Sequence, residues 1–137
     1  MTAQSAEQVR VFPPETLERM AALYPAQAGL LHHRLPDHPL LSLEALAALA
    51  DTLPASQVEY NPGDLPVGIR PEDVPSNGLS IAETIRTIDS NRSWAVLKNI
   101  ETVDAYRALL MDLLGELEPV VSPRTGAMLT PQGFVFI

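Results

Sequence analysis

Prolines set the limits on every element this chain can form. There are thirteen of them in 137 residues, about twice an average usage of roughly 5%, and they are spaced along the chain instead of gathered in one tract. A proline lacks the backbone N–H, fixes φ and restricts the residue before it, so it tends to end helices and is kept out of central strands. The elements must therefore be short, and each stretch between prolines can be read by its own hydrophobic period.

Pro13 and Pro14 precede Glu15, Leu17, Met20, Ala21 and Leu23, a helical spacing with prolines at its entrance and an acid in its first turn, closed by Pro25. A helix over 14–24 follows. The run from Ala28 to Leu35, through His32, His33 and Arg34, is too short between Pro25 and Pro36 for an ordinary helix and reads as a strand. Ser42 can cap a helix over 43–52 that places Leu43, Leu46, Leu49, Ala50 and Leu53 on one face and stops before Pro54. Gln57 to Tyr60 reads as a strand entering the turn Asn61-Pro62-Gly63-Asp64.

Four prolines and three glycines between Pro62 and Gly78 mark a surface loop. Ser80-Ile81-Ala82-Glu83 has the form of a capping box and opens a helix over 81–89, stopped by Ser90-Asn91. Ser93 to Lys98 reads as a buried strand. Thr102 is placed to cap an amphipathic helix over 103–118, with Val103, Tyr106, Leu109, Leu110, Leu113, Leu114 and Leu117 facing inward. A Pro/Gly-containing stretch from Pro119 to Gln132 leads to a last strand, Gly133 to Ile137. The fold class is α+β, with about four helices and short strands. Residues 1–13 form a flexible N-terminus, and residues 14–137 form a single domain with no internal repeat and no linker.

Hydrophobic residues at 46% and charged residues at 19% describe a chain that can bury a core. Seventeen acids against nine bases leave a formal charge of −8, which repels phosphate backbones and anionic lipid, so no direct nucleic-acid partner is expected. No apolar stretch approaches the roughly 20 residues of a membrane span, and the polar start shows no signal-peptide pattern, which favours the cytoplasm. Asn91-Arg92-Ser93 matches a glycosylation triplet by coincidence. The absence of cysteine removes disulfides, thiolate zinc sites and cysteine nucleophiles.

His32, His33 and His38 lie close in sequence, but no H-E-x-x-H, H-x-D or H-x-H triplet accompanies them. If 28–35 is extended, His32 and His33 point to opposite faces. They read as surface or hydrogen-bonded histidines, with His32 or His33 the half-buried one. No G-x-S-x-G elbow or phosphate-binding glycine loop is present. Asp112, Glu116 and Glu118 fall on the polar side of the long helix and read as a solvated face. Trp94 and Tyr106 read as core aromatics.

Several pieces taken in order carry a resemblance. They are His33-Arg34-Leu35, His38 to Leu46, Val58-Glu59-Tyr60-Asn61, Ser93 to Glu101, Tyr106 to Leu110, and Gly133 to Ile137. Together they resemble the N-terminal part of bacterial cupin-like, JmjC-type proteins over roughly residues 14–137, and some members of that family are labelled putative transcription regulators. The resemblance implies a double-stranded β-helix fold in which iron-dependent members oxidise substrates with 2-oxoglutarate. There an H-x-D metal pair comes shortly after a Gly-Phe-x-Phe-Ile strand, with a second histidine far downstream.

Through Ile137 no H-x-D occurs, and no matched position carries an iron ligand. The resemblance therefore implies the N-terminal portion of such a protein without its catalytic barrel. It implies no catalytic residue and no metal ligand here, and leaves cofactor-binding residues open; Fe(II) and 2-oxoglutarate belong to a full-length relative. Two functional classes follow: a non-catalytic lead-in region with scaffolding, substrate-side or dimerisation roles, or a free-standing acidic protein-interaction module. Phe134 to Ile137 is apolar and β-prone with no charge or proline, so self-association into a homodimer is expected, with a further protein partner or the missing barrel as the other occupant.

Overall fold

The computed structural model describes residues 10–137. It is an α+β unit of four α-helices and a three-stranded antiparallel sheet. The helices are α1 (Pro14–Leu23), α2 (Leu43–Thr52), α3 (Ile81–Arg86) and α4 (Asp104–Thr125). The strands are β1 (Val58–Pro62), β2 (Ser93–Leu97) and β3 (Val135–Phe136), in the order β1-β2-β3.

Local chemistry sets the beginnings of the central helices. The Ser42 hydroxyl accepts from the Ala45 N–H at 3.1 Å and opens α2; the Ser80 hydroxyl accepts from Glu83 N–H at 3.2 Å and opens α3. These two helices pack against each other and against one face of the sheet. The core lies in that layer: Leu46, Ala47, Leu49, Ala50 and Leu53 from α2 and its end, Ala82 and Ile85 from α3, and Ala95 and Leu97 from β2. Ile85 and Leu97 are fully buried, each contributing about 1.5–3 kcal/mol by removal from water.

The polar interior is satisfied where the long loop meets the sheet. Thr84 is buried, and its hydroxyl accepts from the Asn77 side-chain amide at 2.9 Å; the same amide nitrogen donates to Ser93 Oγ at 3.0 Å. Asn77 Oδ1 accepts from Leu79 N–H. Strand β1 takes in Asn61 and Pro62, which the sequence reading placed in a turn and at the start of the loop; the loop then runs from Gly63 to Gly78, with its end pinned to α3 and β2.

Several elements differ from the sequence reading. Residues 28–35 form no strand. The Leu30 carbonyl takes Arg19 Nε, the His32 carbonyl takes the Thr16 hydroxyl, and Arg34 N–H donates to Val11 O. Side chains of α1 hold the segment, so no ladder forms and a 3-10 turn follows at Leu35–Asp37. Thr102 does not cap α4: it lies in a 3-10 turn, Ile100–Thr102, where its hydroxyl donates to Asn99 O, and Val103 takes the N-cap position. The helix expected over 81–89 ends at Arg86, because Thr87 leaves helical geometry and the Asn91 amide takes the Thr84 carbonyl at 2.8 Å.

Helix α4 runs seven residues past its expected end at 118, through Pro119 and Pro123. The four-residue spacing frees the carbonyls of Gly115 and Pro119, and both prolines lie on the exposed side, where water can take those carbonyls. Contacts with α1 hold the last turn: Arg124 donates to Ala21 O at 3.2 Å, and the Tyr24 and Thr125 hydroxyls are 2.7 Å apart. Along the same helix, Tyr106 is buried, while Leu109, Leu110, Leu113, Leu114 and Leu117 are only half-buried.

The described part of the expected N-terminal lead, residues 10–13, is tied to α4. The Glu116 carboxylate accepts from Val11 N–H at 2.9 Å and Phe12 N–H at 3.0 Å, and Val11 and Phe12 are buried. Residues 1–9 of that lead fall outside the described residues. Glu116 is thus no member of a solvated face; its side chain is 13% exposed.

Candidate functional site

The β-prone runs, the segment 40–53 and Tyr106 pack together in one region. Val58–Asn61, Ser93–Leu97 and the C-terminal run supply the three strands. Leu40, Leu41 and α2 pack beneath them, and the Tyr106 hydroxyl donates to Leu40 O at 2.7 Å. The sheet is therefore the place to look for an interaction surface.

Register sets what each face and edge presents. In β1–β2, Val58 pairs with Leu97 and Pro62 with Ser93; in β2–β3, Val96 pairs with Phe136 and Leu97 with Val135. Alternation turns Val58, Tyr60, Ala95, Leu97, Val135 and Ile137 toward the helices. Glu59, Trp94, Val96, Lys98, Phe134 and Phe136 fall on the opposite face. The face is closed at its centre, where Val96 is 4% exposed; beside it Trp94 is half-buried and lies outside the main core cluster, a correction to its sequence reading. Phe136 is 75% exposed and Phe134 49%, while Lys98 Nζ pairs with Glu59 Oε2 at 2.9 Å beside them.

The two edges of the sheet differ chemically. Ala95 and Ile137 exchange hydrogen bonds in both directions, at 3.0 and 2.8 Å. Antiparallel alternation then aims the backbone of Val135 at β2 and the N–H and C=O groups of Phe134 and Phe136 away from it. On the opposite side, Lys98 N–H donates to Gln57 O and Gly63 N–H to Arg92 O. That parity turns Val58, Tyr60 and Pro62 outward from β1. Pro62 has no N–H to offer, which blunts that edge, whereas β3 has neither proline nor charge.

The histidines do not gather. His32 and His33 are exposed, and the half-buried one is His38, contrary to the sequence reading. Its Nδ1 accepts from Leu40 N–H at 3.1 Å and starts the 3-10 turn Pro39–Leu41, while His33 Nδ1 accepts from Leu35 N–H. A groove of about 440 Å³ is lined by Arg10, Arg34, Asp37 and His38. Arg34 donates there to Arg10 O, and Arg10 pairs with Glu116. Among the described residues no group of three or more His, Cys, Asp or Glu is placed to hold a metal ion, so they do not fit the three-ligand Fe(II) set of the resemblance.

Titration is shifted at structural positions. The hydrogen bond from Arg86, and then its charge, hold the Glu44 carboxyl below its ordinary range, and the same contact raises Arg86. Burial raises the Tyr106 phenol. The edge strand of β3 was legible in sequence as an uncharged apolar run. Its orientation was not, because a hydropathy pattern does not say which backbone groups face a neighbour.

Comparison with known proteins finds no family model matching the chain, and no curated protein or solved structure that matches it. Among the described residues no helix is long and apolar enough to cross a membrane.

Proposed function

We propose that this chain is the non-catalytic N-terminal region of a cupin-like, JmjC-type cytoplasmic protein, an oxygenase relative or transcription regulator, in which it serves as a scaffold that presents a sheet for pairing. The observation that supports the reading is the open β3 edge. Its outward N–H and C=O groups, at Phe134 and Phe136, carry no hydrogen bond among the described residues, and both side chains are exposed. An extended strand satisfies such an edge, and a β-helix is built by adding strands. In this reading Fe(II) and 2-oxoglutarate chemistry belongs to the remainder of a full-length relative.

Reading the source gene downstream of Ile137 tests this. A continuing frame with an H-x-D motif soon after the Gly133–Ile137 segment and a distal histidine is expected, and its product should consume 2-oxoglutarate in the presence of Fe(II). A stop codon overturns the lead-in reading and favours the free-standing acidic interaction module.

A further inference from the structure

We propose that the 137-residue chain forms a two-fold dimer by antiparallel pairing of β3 with β3 of a second copy. This deepens the reading of β3 as a pairing edge by naming its occupant. Two outward-facing residues separated by one inward-facing residue are self-complementary under a two-fold axis. With the axis at Val135, Phe134 of one copy lies opposite Phe136 of the other, and Phe136 opposite Phe134. Both positions then become hydrogen-bonded pairs, and all four outward N–H groups and all four outward C=O groups find partners at once.

The side chains fit the same register. Phe134 and Phe136 share one face of their strand, so the axis brings a phenylalanine of one copy beside a phenylalanine of the other on a continuous six-stranded sheet. Directly opposed aromatic pairs in antiparallel strands are favourable. They would cover the most exposed aromatic surface the described residues offer, Phe136 at 75% and Phe134 at 49%.

Charge selects the place. The chain carries a formal −8, so two copies repel over most of their surface. Residues 131–137 contain no charged side chain. The nearest carboxylates on the flanking segments are already engaged, Glu101 by Gly133 N–H at 3.0 Å and Glu59 by Lys98. Like charge at the seam is confined to its two ends, where the Ile137 α-carboxylate of one copy lies near the Gly133 segment, and its Glu101, of the other. Because the remaining repulsion is screened by ions, association strengthens as salt rises, opposite to an interface held by ion pairs. The contact is short, which places its Kd at about 10 µM to about 1 mM.

Sedimentation velocity on the full 137-residue chain, from about 10 µM to about 1 mM, tests the proposal. The mass should climb from 14.9 kDa toward twice that value, and climb further at higher salt. Amide exchange by NMR should show Phe134 and Phe136 protected at high concentration and open at low concentration. Phe136→Pro removes an outward N–H that makes no bond within the subunit, and should give a folded monomer. If that variant misfolds, Phe136→Lys keeps the N–H, places a like charge on each side of the seam, and should also give a monomer. A wild-type chain that stays at 14.9 kDa throughout overturns the proposal, as does a dimer that survives Phe136→Lys or leaves both amides unprotected. A monomeric result has no bearing on the downstream reading frame, so the two readings fail separately.

Discussion

Tyr106 donates its phenolic hydrogen bond to the backbone carbonyl of Leu40 across 2.7 Å, with the Ala45 carbonyl a longer second acceptor at 3.4 Å. One hydroxyl thereby ties α4 to the turn that leads into α2, joining residues 66 positions apart in sequence. The ring is 5% exposed, so the bond is made in a largely dry setting.

Tyr106→Phe should keep the packing and lose about 1 kcal/mol, since the Leu40 carbonyl is left without its donor. The phenol's ordinary pKa is 10.0 and burial raises it in the folded state. The unfolded chain therefore ionises first. The contribution of Tyr106 is full below about pH 10 and is lost as pH rises through the higher folded value. Urea melts across the alkaline range check both points: the wild type should weaken above that pH, and Tyr106→Phe should remove part of this slope. Equal curves for the two proteins would contradict the assignment.

Glu116→Ala strips the acceptor from two backbone N–H groups, those of Val11 and Phe12. Charge-assisted bonds of this kind make the change cost about 1–3 kcal/mol. The loss should be felt locally first. Trypsin is expected to cut after Arg10 faster in the variant, while far-ultraviolet circular dichroism stays that of the folded chain. Glu116→Gln retains one acceptor oxygen and should fall between the two. Unchanged cleavage in Glu116→Ala would show that apolar packing alone holds residues 10–12.

Trp94→Ala should cost about 1–2 kcal/mol, short of the roughly 3–5 kcal/mol of a fully buried ring. Its indole sits, half-buried, on the side of β2 turned away from the helices that Ala95 and Leu97 face. The variant should remain folded with a lowered denaturant midpoint. A loss above about 3 kcal/mol would mean that the ring is fully enclosed in solution.

The sequence by itself determined those elements whose signals act within a few residues. Ser42 with the leucines of 43–53 specifies α2, Ser80 opens α3, and the β-prone runs read over 57–60, 93–98 and 133–137 contain the strands Val58–Pro62, Ser93–Leu97 and Val135–Phe136, because β-branched and aromatic residues suit a pleated surface. Their alternation also separates an inward from an outward set. Tertiary structure decided which β-prone run finds a ladder. Residues 28–35 have none, because Thr16 and Arg19 of α1 take their carbonyls first. It decided that α4 passes Pro119 and Pro123, since contacts to Ala21 and Tyr24 outweigh two missing donors that face water. It turned Glu116 from a surface charge into the anchor of residues 11 and 12, and it placed Trp94 outside the main core cluster, on the face of the sheet turned away from α2 and α3. The physical reason is common to all four: a hydrogen-bonding group or an apolar face has a local preference written in its neighbours, but its partner comes from a segment distant in the chain, and only folding sets which partner arrives.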